Sequence, residues 1–148
     1  RSTLMRSSAA SDVYKRQKTK WLKLGGKTYY LYAKSGVAAT GFVKDSKGNI
    51  RYFSKTGIMA TGWLTSSSGV KRYFASTSST STNGIMAVGF KTINNVTYYF
   101  YSGSGAMATG WINLGGTWYY LNGSGAMAAN TWIGSCYVNS SGAWVPGA

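Results

Sequence analysis

The chain has 148 residues, with 16 Lys and Arg against 2 acids, no His, one Cys and one Pro. The acids are Asp12 and Asp45 and Glu is absent, so general acid–base catalysis lacks the His and tunable carboxylates it normally uses. No nucleophile–His pair, carboxylate pair or closed zinc shell can be assembled, which sets enzymes, metal sites and cofactor chemistry aside.

In chain order, residues 1–17 (RSTLMRSSAASDVYKRQ) match nothing that follows. The string Asp12 to Gln17 reads as the translation of a sequencing adapter, with a natural basic linker as the alternative. Arg1 to Gln17 contains no apolar stretch of the kind a signal peptide needs. Without this segment the chain carries 12 basic residues and 1 acid, a net +11. All of these basic residues lie between Lys18 and Lys91, and residues 92–148 have no charged side chain. They are scattered singly, which suits a solvated basic surface better than a nucleic-acid footprint. No apolar run reaches the ~18 residues of a membrane span.

From residue 18 onward the chain repeats a unit of about 21 residues. Its opening aromatics are Trp21, Phe42, Trp63, Phe90, Trp111 and Trp132. The units run 18–40, 41–61, 62–88, 89–109, 110–130 and 131–148. Paired aromatics follow at Tyr29-Tyr30, Tyr52-Phe53, Tyr73-Phe74, Tyr98-Tyr99 and Tyr119-Tyr120. A polar-Gly pair comes next, from Ser35-Gly36 to Ser141-Gly142. Met59, Met86, Met107 and Met127 then recur, with Ala38 and Trp144 at the matching places in the end units.

Each unit reads as a β-hairpin. Gly25-Gly26 and Gly115-Gly116 supply the positive φ of two-residue type I′ turns, and Asn94-Asn95 tolerates it next best. Units two and three carry DSKGN and SSSGV there, two residues more, which would preserve the facing of the second strand. The Ser/Thr tract 76–83 reads as a surface loop. Strand alternation predicts two rows, Tyr29/Tyr52/Tyr73/Tyr98/Tyr119 and Tyr30/Phe53/Phe74/Tyr99/Tyr120, one of them core. The Met residues read as gap-fillers, and Cys136 as an incidental thiol. One hairpin is marginal alone, so neighbours must supply the missing apolar partner. The expected fold is all-β, a repetitive β-hairpin solenoid with little or no helix.

GWINLGGTWYYLNGSGAMA, Gly110 to Ala128, resembles the choline-binding or cell-wall-binding repeat of Gram-positive surface proteins. GFKTINNVTYYFYSGSGAMATGW also resembles the related glucan-binding repeats and the receptor-binding repeats of clostridial toxins. The resemblance covers residues 18–148. It implies an extracellular, wall-associated binding module with ligand sites between successive hairpins. It implies an aromatic cage for a quaternary ammonium, whose charge is held by the negative faces of rings.

Carried onto this chain, the cage residues are Trp111, Trp118, Tyr120, Met127 and Trp132. Weaker candidate grooves involve Trp63, Phe90, Tyr99 and Met107. In this alignment Thr28, Arg51, Arg72 and Thr97 stand at the Trp118 position of the other units. A guanidinium there repels a cationic ligand, whereas rings beside Thr, Asn or Arg suit a sugar. The implied partner is a choline-bearing teichoic acid or a glucan, with no nucleic acid and no membrane span. A purely structural spacer is the remaining alternative.

Overall fold

The computed structural model describes residues 21–32 and 35–148. The adapter or linker expected at 1–17 lies outside the described residues. Among the described residues there is no helix, and none that could cross a membrane as one. Short antiparallel hairpins take up the chain. They pair β1 (Trp21–Leu24) with β2 (Lys27–Tyr30), β3 (Gly41–Lys44) with β4 (Ile50–Phe53), and β5 (Gly62–Thr65) with β6 (Lys71–Phe74). The series continues with β7 (Gly89–Ile93) and β8 (Val96–Phe100), then β9 (Gly110–Leu114) and β10 (Thr117–Leu121). It ends with β11 (Thr131–Ile133), β12 (Cys136–Val138) and a third strand, β13 (Trp144–Val145), on β12. This is the all-β repetitive hairpin fold expected from the sequence.

Turn chemistry explains the hairpins. Gly25 and Gly26 have φ of 59° and 76°, Asn94 and Asn95 of 51° and 66°, and Gly115 and Gly116 of 61° and 94°. Positive φ at both central positions is the type I′ signature, whose twist matches the flanking strands. The β3–β4 and β5–β6 connections close differently. Gly48 N–H donates to the Asp45 carbonyl at 3.0 Å, and Asp45 N–H donates to the Asn49 carbonyl at 2.8 Å. Gly69, Ser66 and Val70 repeat that pattern. Each is a three-residue loop ending in a left-handed Gly, with Gly48 at φ 87° and Gly69 at φ 89°.

That loop is one residue longer than a type I′ turn, where two were expected. The register records the difference: Trp21 faces Tyr30, nine positions on, but Phe42 faces Tyr52, ten positions on. One extra residue shifts the alignment of units two and three and reverses the facing inferred from the paired aromatics. The residues opposite the opening aromatics are Tyr30, Tyr52, Tyr99, Tyr120 and Tyr137, with Tyr73 packed on Trp63. The next residue along is the core: Leu31, Phe53, Phe74, Phe100, Leu121 and Val138, each 2% exposed or less. The two expected rows are therefore corrected: the first mixed the ring-pairing Tyr52 and Tyr73 with Tyr29, Tyr98 and Tyr119 one position earlier, and the second mixed the core Phe53 and Phe74 with the ring-pairing Tyr30, Tyr99 and Tyr120. Full burial of such a side chain contributes roughly 1.5–3 kcal/mol.

Each core residue except Val138 bridges back to the loop that follows it: Leu31 to Ala38, Phe53 to Met59, Phe74 to Met86, Phe100 to Met107 and Leu121 to Met127. Val138 pairs with Trp144 in the same way, as a β12–β13 rung.

Contacts divide the chain into two units, one of residues up to 64 with 73–86, the other of 65–72 with 87–148. In the first, Met59 N–H donates to the Thr28 carbonyl at 2.9 Å and Met86 N–H to the Ile50 carbonyl at 2.7 Å. Ala39, Phe53 and Met59 form its buried cluster, with Trp21, Tyr30 and Val43 packed against them. In the second, Met107 N–H donates to the Lys71 carbonyl at 2.9 Å and Met127 N–H to the Thr97 carbonyl at 2.8 Å. Its cluster is Ala108, Ile112 and Leu121, flanked by Tyr99, Leu114, Tyr119 and Met127.

Met59, Met107 and Met127 each also lie over a glycine of the next repeat. A Cβ built on Gly84 would fall 2.5 Å from Met59 Sδ, and one on Gly142 would fall 2.7 Å from Met127 Sδ. Gly125 meets Met107 in the same way, and Gly57 meets Ala38, the residue in the Met slot of the first repeat. The polar-Gly pair is thus more than a turn: its missing side chain is the seat for the preceding thioether.

Candidate functional site

Gly41, Gly62, Gly89 and Gly110, at φ of 73–79°, open their strands and stand just before four of the opening aromatics. Most of their rings stay in solvent. Phe42, Trp63, Phe90 and Trp132 are all exposed, Trp132 by 55%. These exposed large rings are apolar surface that the core does not use.

In the second unit, Trp111 lies on Tyr120 with ring centroids 5.2 Å apart at 60°. Trp132 lies on Tyr137 at 5.2 Å. Trp118 faces Asn113 across the hairpin, is 38% exposed, and makes no ring pair among the described residues. Met127 is half-buried against Gly142. Of the five residues expected to form a cage, the structure joins Trp111 to Tyr120 and gives Trp132 a different ring partner. Rings that share a cation each need its charge within about 6 Å of their centroid, which leaves them apart from one another. The uncharged stretch 92–148 places no fixed cation among them.

Among the weaker candidates, Phe90 is flanked by Tyr99 of its own hairpin at 4.9 Å and by Tyr119 of the next at 5.0 Å. Met107 sits against Gly125. In the first unit, Trp63 packs on Tyr73 at 5.2 Å.

A residue placed differently by the sequence is Arg51. With the register corrected, it matches Tyr29 and Tyr119; Ile50 and Lys71 match Trp118. Arg51 is 5% exposed, and its Cζ lies 5.2 Å from the Trp21 ring centroid. Its Nε donates to the Asn83 carbonyl and its Nη2 to the Ser81 carbonyl, both at 2.8 Å. Its Nη1 pairs with the Asp45 carboxylate at 3.2 Å. Burial pushes the Asp45 carboxyl up, but hydrogen bonds from Asn49, Lys47 and Arg51 outweigh it and hold the group below its ordinary value. Arg72, in the same slot, donates Nε to the Ser104 carbonyl at 2.7 Å. The signal that exposes Arg51 is the one-residue surplus in its turn. Trp21, Tyr30, Asp45, Arg51 and Ser81 border a cleft of about 670 Å³.

Family comparison agrees with this geometry. The choline-binding repeat model matches residues 87–132, and the putative cell wall binding repeat model matches residues 19–38. Comparison with curated proteins gives no match. Among solved structures, choline binding protein F from Streptococcus pneumoniae is 37% identical with a TM-score of 0.75 over 86% of this chain and 40% of that one. This chain thus spans about two-fifths of that relative. The choline binding domain of Spr1274 from the same organism is 38% identical with a TM-score of 0.50, over 58% of this chain and 95% of that one. The modular Cpl-1 endolysin is 26% identical with a TM-score of 0.55, over 87% of this chain and 37% of that one. With two choline-binding and cell-wall-binding repeat models matched, and 38% identity to a choline binding domain of which it covers 95%, the chain belongs to the choline-binding repeat family.

Proposed function

We propose that the chain is a non-catalytic wall-binding module whose exposed rings in residues 89–148 hold quaternary ammonium groups, choline of a teichoic acid being the natural bearer. It would anchor a secreted, extracellular parent protein on the cell wall. The observation that carries this reading is the exposure of Trp118 and Trp132, alongside the Trp111–Tyr120 pair, in a stretch without charged side chains. An onium group cannot hydrogen-bond, so ring faces in neutral surroundings are its natural receptor. Relatives supply support: the Cpl-1 endolysin was solved with a peptidoglycan analogue, and choline binding protein F in the presence of one. Weak single sites would become useful through repetition, at effective concentrations in the mM range.

Calorimetric titration of the whole chain with choline tests the reading. Saturable binding is expected, weakened about 2- to 30-fold in Trp118→Ala or Trp132→Ala, as loss of one ring worth ~0.5–2 kcal/mol requires. A second reading, saccharide binding, draws on the hydroxyl-bearing cleft beside Trp21 and Tyr30. Dextran binding without a choline response would favour it, and silence with both ligands and with purified walls would leave a spacer.

A further inference from the structure

The Trp21 ring already has a cation. Arg51 comes from the next repeat, and its guanidinium stands 5.2 Å from the ring centroid, inside cation–π range. The group is fixed by the Ser81 and Asn83 carbonyls and by Asp45. Two of these partners belong to the Ser/Thr tract, so the long loop of the third repeat serves to lock a side chain of the second. The matching slot in the fifth repeat shows the alternative, for there Tyr119 presents a ring to Phe90 at 5.0 Å. The cleft beside Trp21 has the roughly 300–1,000 Å³ of an ordinary small-ligand site, so lack of room does not close it. What fills the ring's charge-binding face is part of the chain itself.

We propose that Arg51 is an internal ligand of Trp21 that bars external quaternary ammonium groups from this junction, making residue identity in the Arg51/Tyr119 slot a specificity switch. This rests on the wall-binding reading for its choice of ligand class. Two like charges cannot share one ring face, and the guanidinium is held at high effective concentration, so a millimolar external cation loses the competition.

Fluorine NMR of the whole chain labelled with 5-fluorotryptophan decides the matter, because its six tryptophans report separately. The Trp21 signal is assigned by its loss in Trp21→Phe, and choline is the titrant. In the wild type the Trp21 signal should stay fixed. In Arg51→Ala it should move with saturating choline, and in Arg51→Lys, which restores a cation, it should stay fixed again. Should Arg51→Ala lose its dispersed spectrum, Arg51→Gln, which fills more of the space than Ala and keeps N–H donors without the charge, takes its place. Movement of Trp21 in the wild type alongside the other tryptophans overturns the proposal, as does a Trp21 signal that ignores choline in the charge-free variant. If Trp111, Trp118 and Trp132 are all silent in the wild type, the wall-binding reading fails by itself; the Arg51 proposal is still decided by Trp21 in Arg51→Ala.

Discussion

At Gly142 two demands coincide: a φ of 84° and the Met127 sulfur where a side chain would be. Gly48, at φ 87°, meets only the first, since a Cβ there would find nothing within 4 Å. Gly48→Ala should therefore cost the backbone penalty alone, about 1–2 kcal/mol. Gly142→Ala should cost at least about 1 kcal/mol more, because the thioether must be displaced. Urea unfolding of both variants measures the gap, and equal losses would mean that Met127 yields freely. Asp45 offers a second prediction. Its carboxyl is held below 3.8, so its contribution to stability is complete above that pH and is lost as pH falls through the folded-state value. Melting temperature followed from about pH 5 down to about pH 2.5 should drop more steeply in the wild type than in Asp45→Asn.

Among the hairpins, the turn sequence decides which face each strand presents. Gly-Gly and Asn-Asn both signal type I′, and both form it. Asn95 holds φ 66° without being glycine, so Asn95→Gly should stabilise the β7–β8 hairpin by about 0.5–1 kcal/mol, read as a rise of a few degrees in melting temperature. The repeats, the strands and the Gly-Gly and Asn-Asn turns were legible in the sequence, because Gly, Asn and alternating rings are local signals. The facing of the second and third repeats was not. DSKGN and SSSGV fix no loop length by themselves, and Tyr52-Phe53 looks like Tyr29-Tyr30 although its structural match is Tyr30-Leu31. Two adjacent rings cannot say which one is core. Arg51 was misplaced by the same turn, and its partners stayed hidden as well: they are backbone carbonyls at 81 and 83, some thirty residues away, and carbonyls leave no mark in a sequence. Of the cage expected from resemblance, the Trp111–Tyr120 pair is a cross-strand contact that register alone dictates.

Across the whole molecule, stability is a sum of repeats and their junctions, each repeat built on its own small core cluster. Phe100→Ala should cost about 3–5 kcal/mol, because its fully buried ring would leave a cavity. Hydrogen exchange should show lost protection concentrated in residues 89–121 while residues 21–53 keep theirs; uniform loss would mean a single cooperative block. Charge changes along the sequence too, from the fixed guanidinium on Trp21 in the early repeats to neutral exposed rings in the late ones. The seating of a methionine on the following glycine has a consequence for how such chains grow. A duplicated segment 110–130 would offer its own Gly125 to the first Met127 and its own Met127 to Gly142. Every new boundary would thus reuse a fit that already exists, so copy number is free to drift by whole repeats without a single compensating substitution.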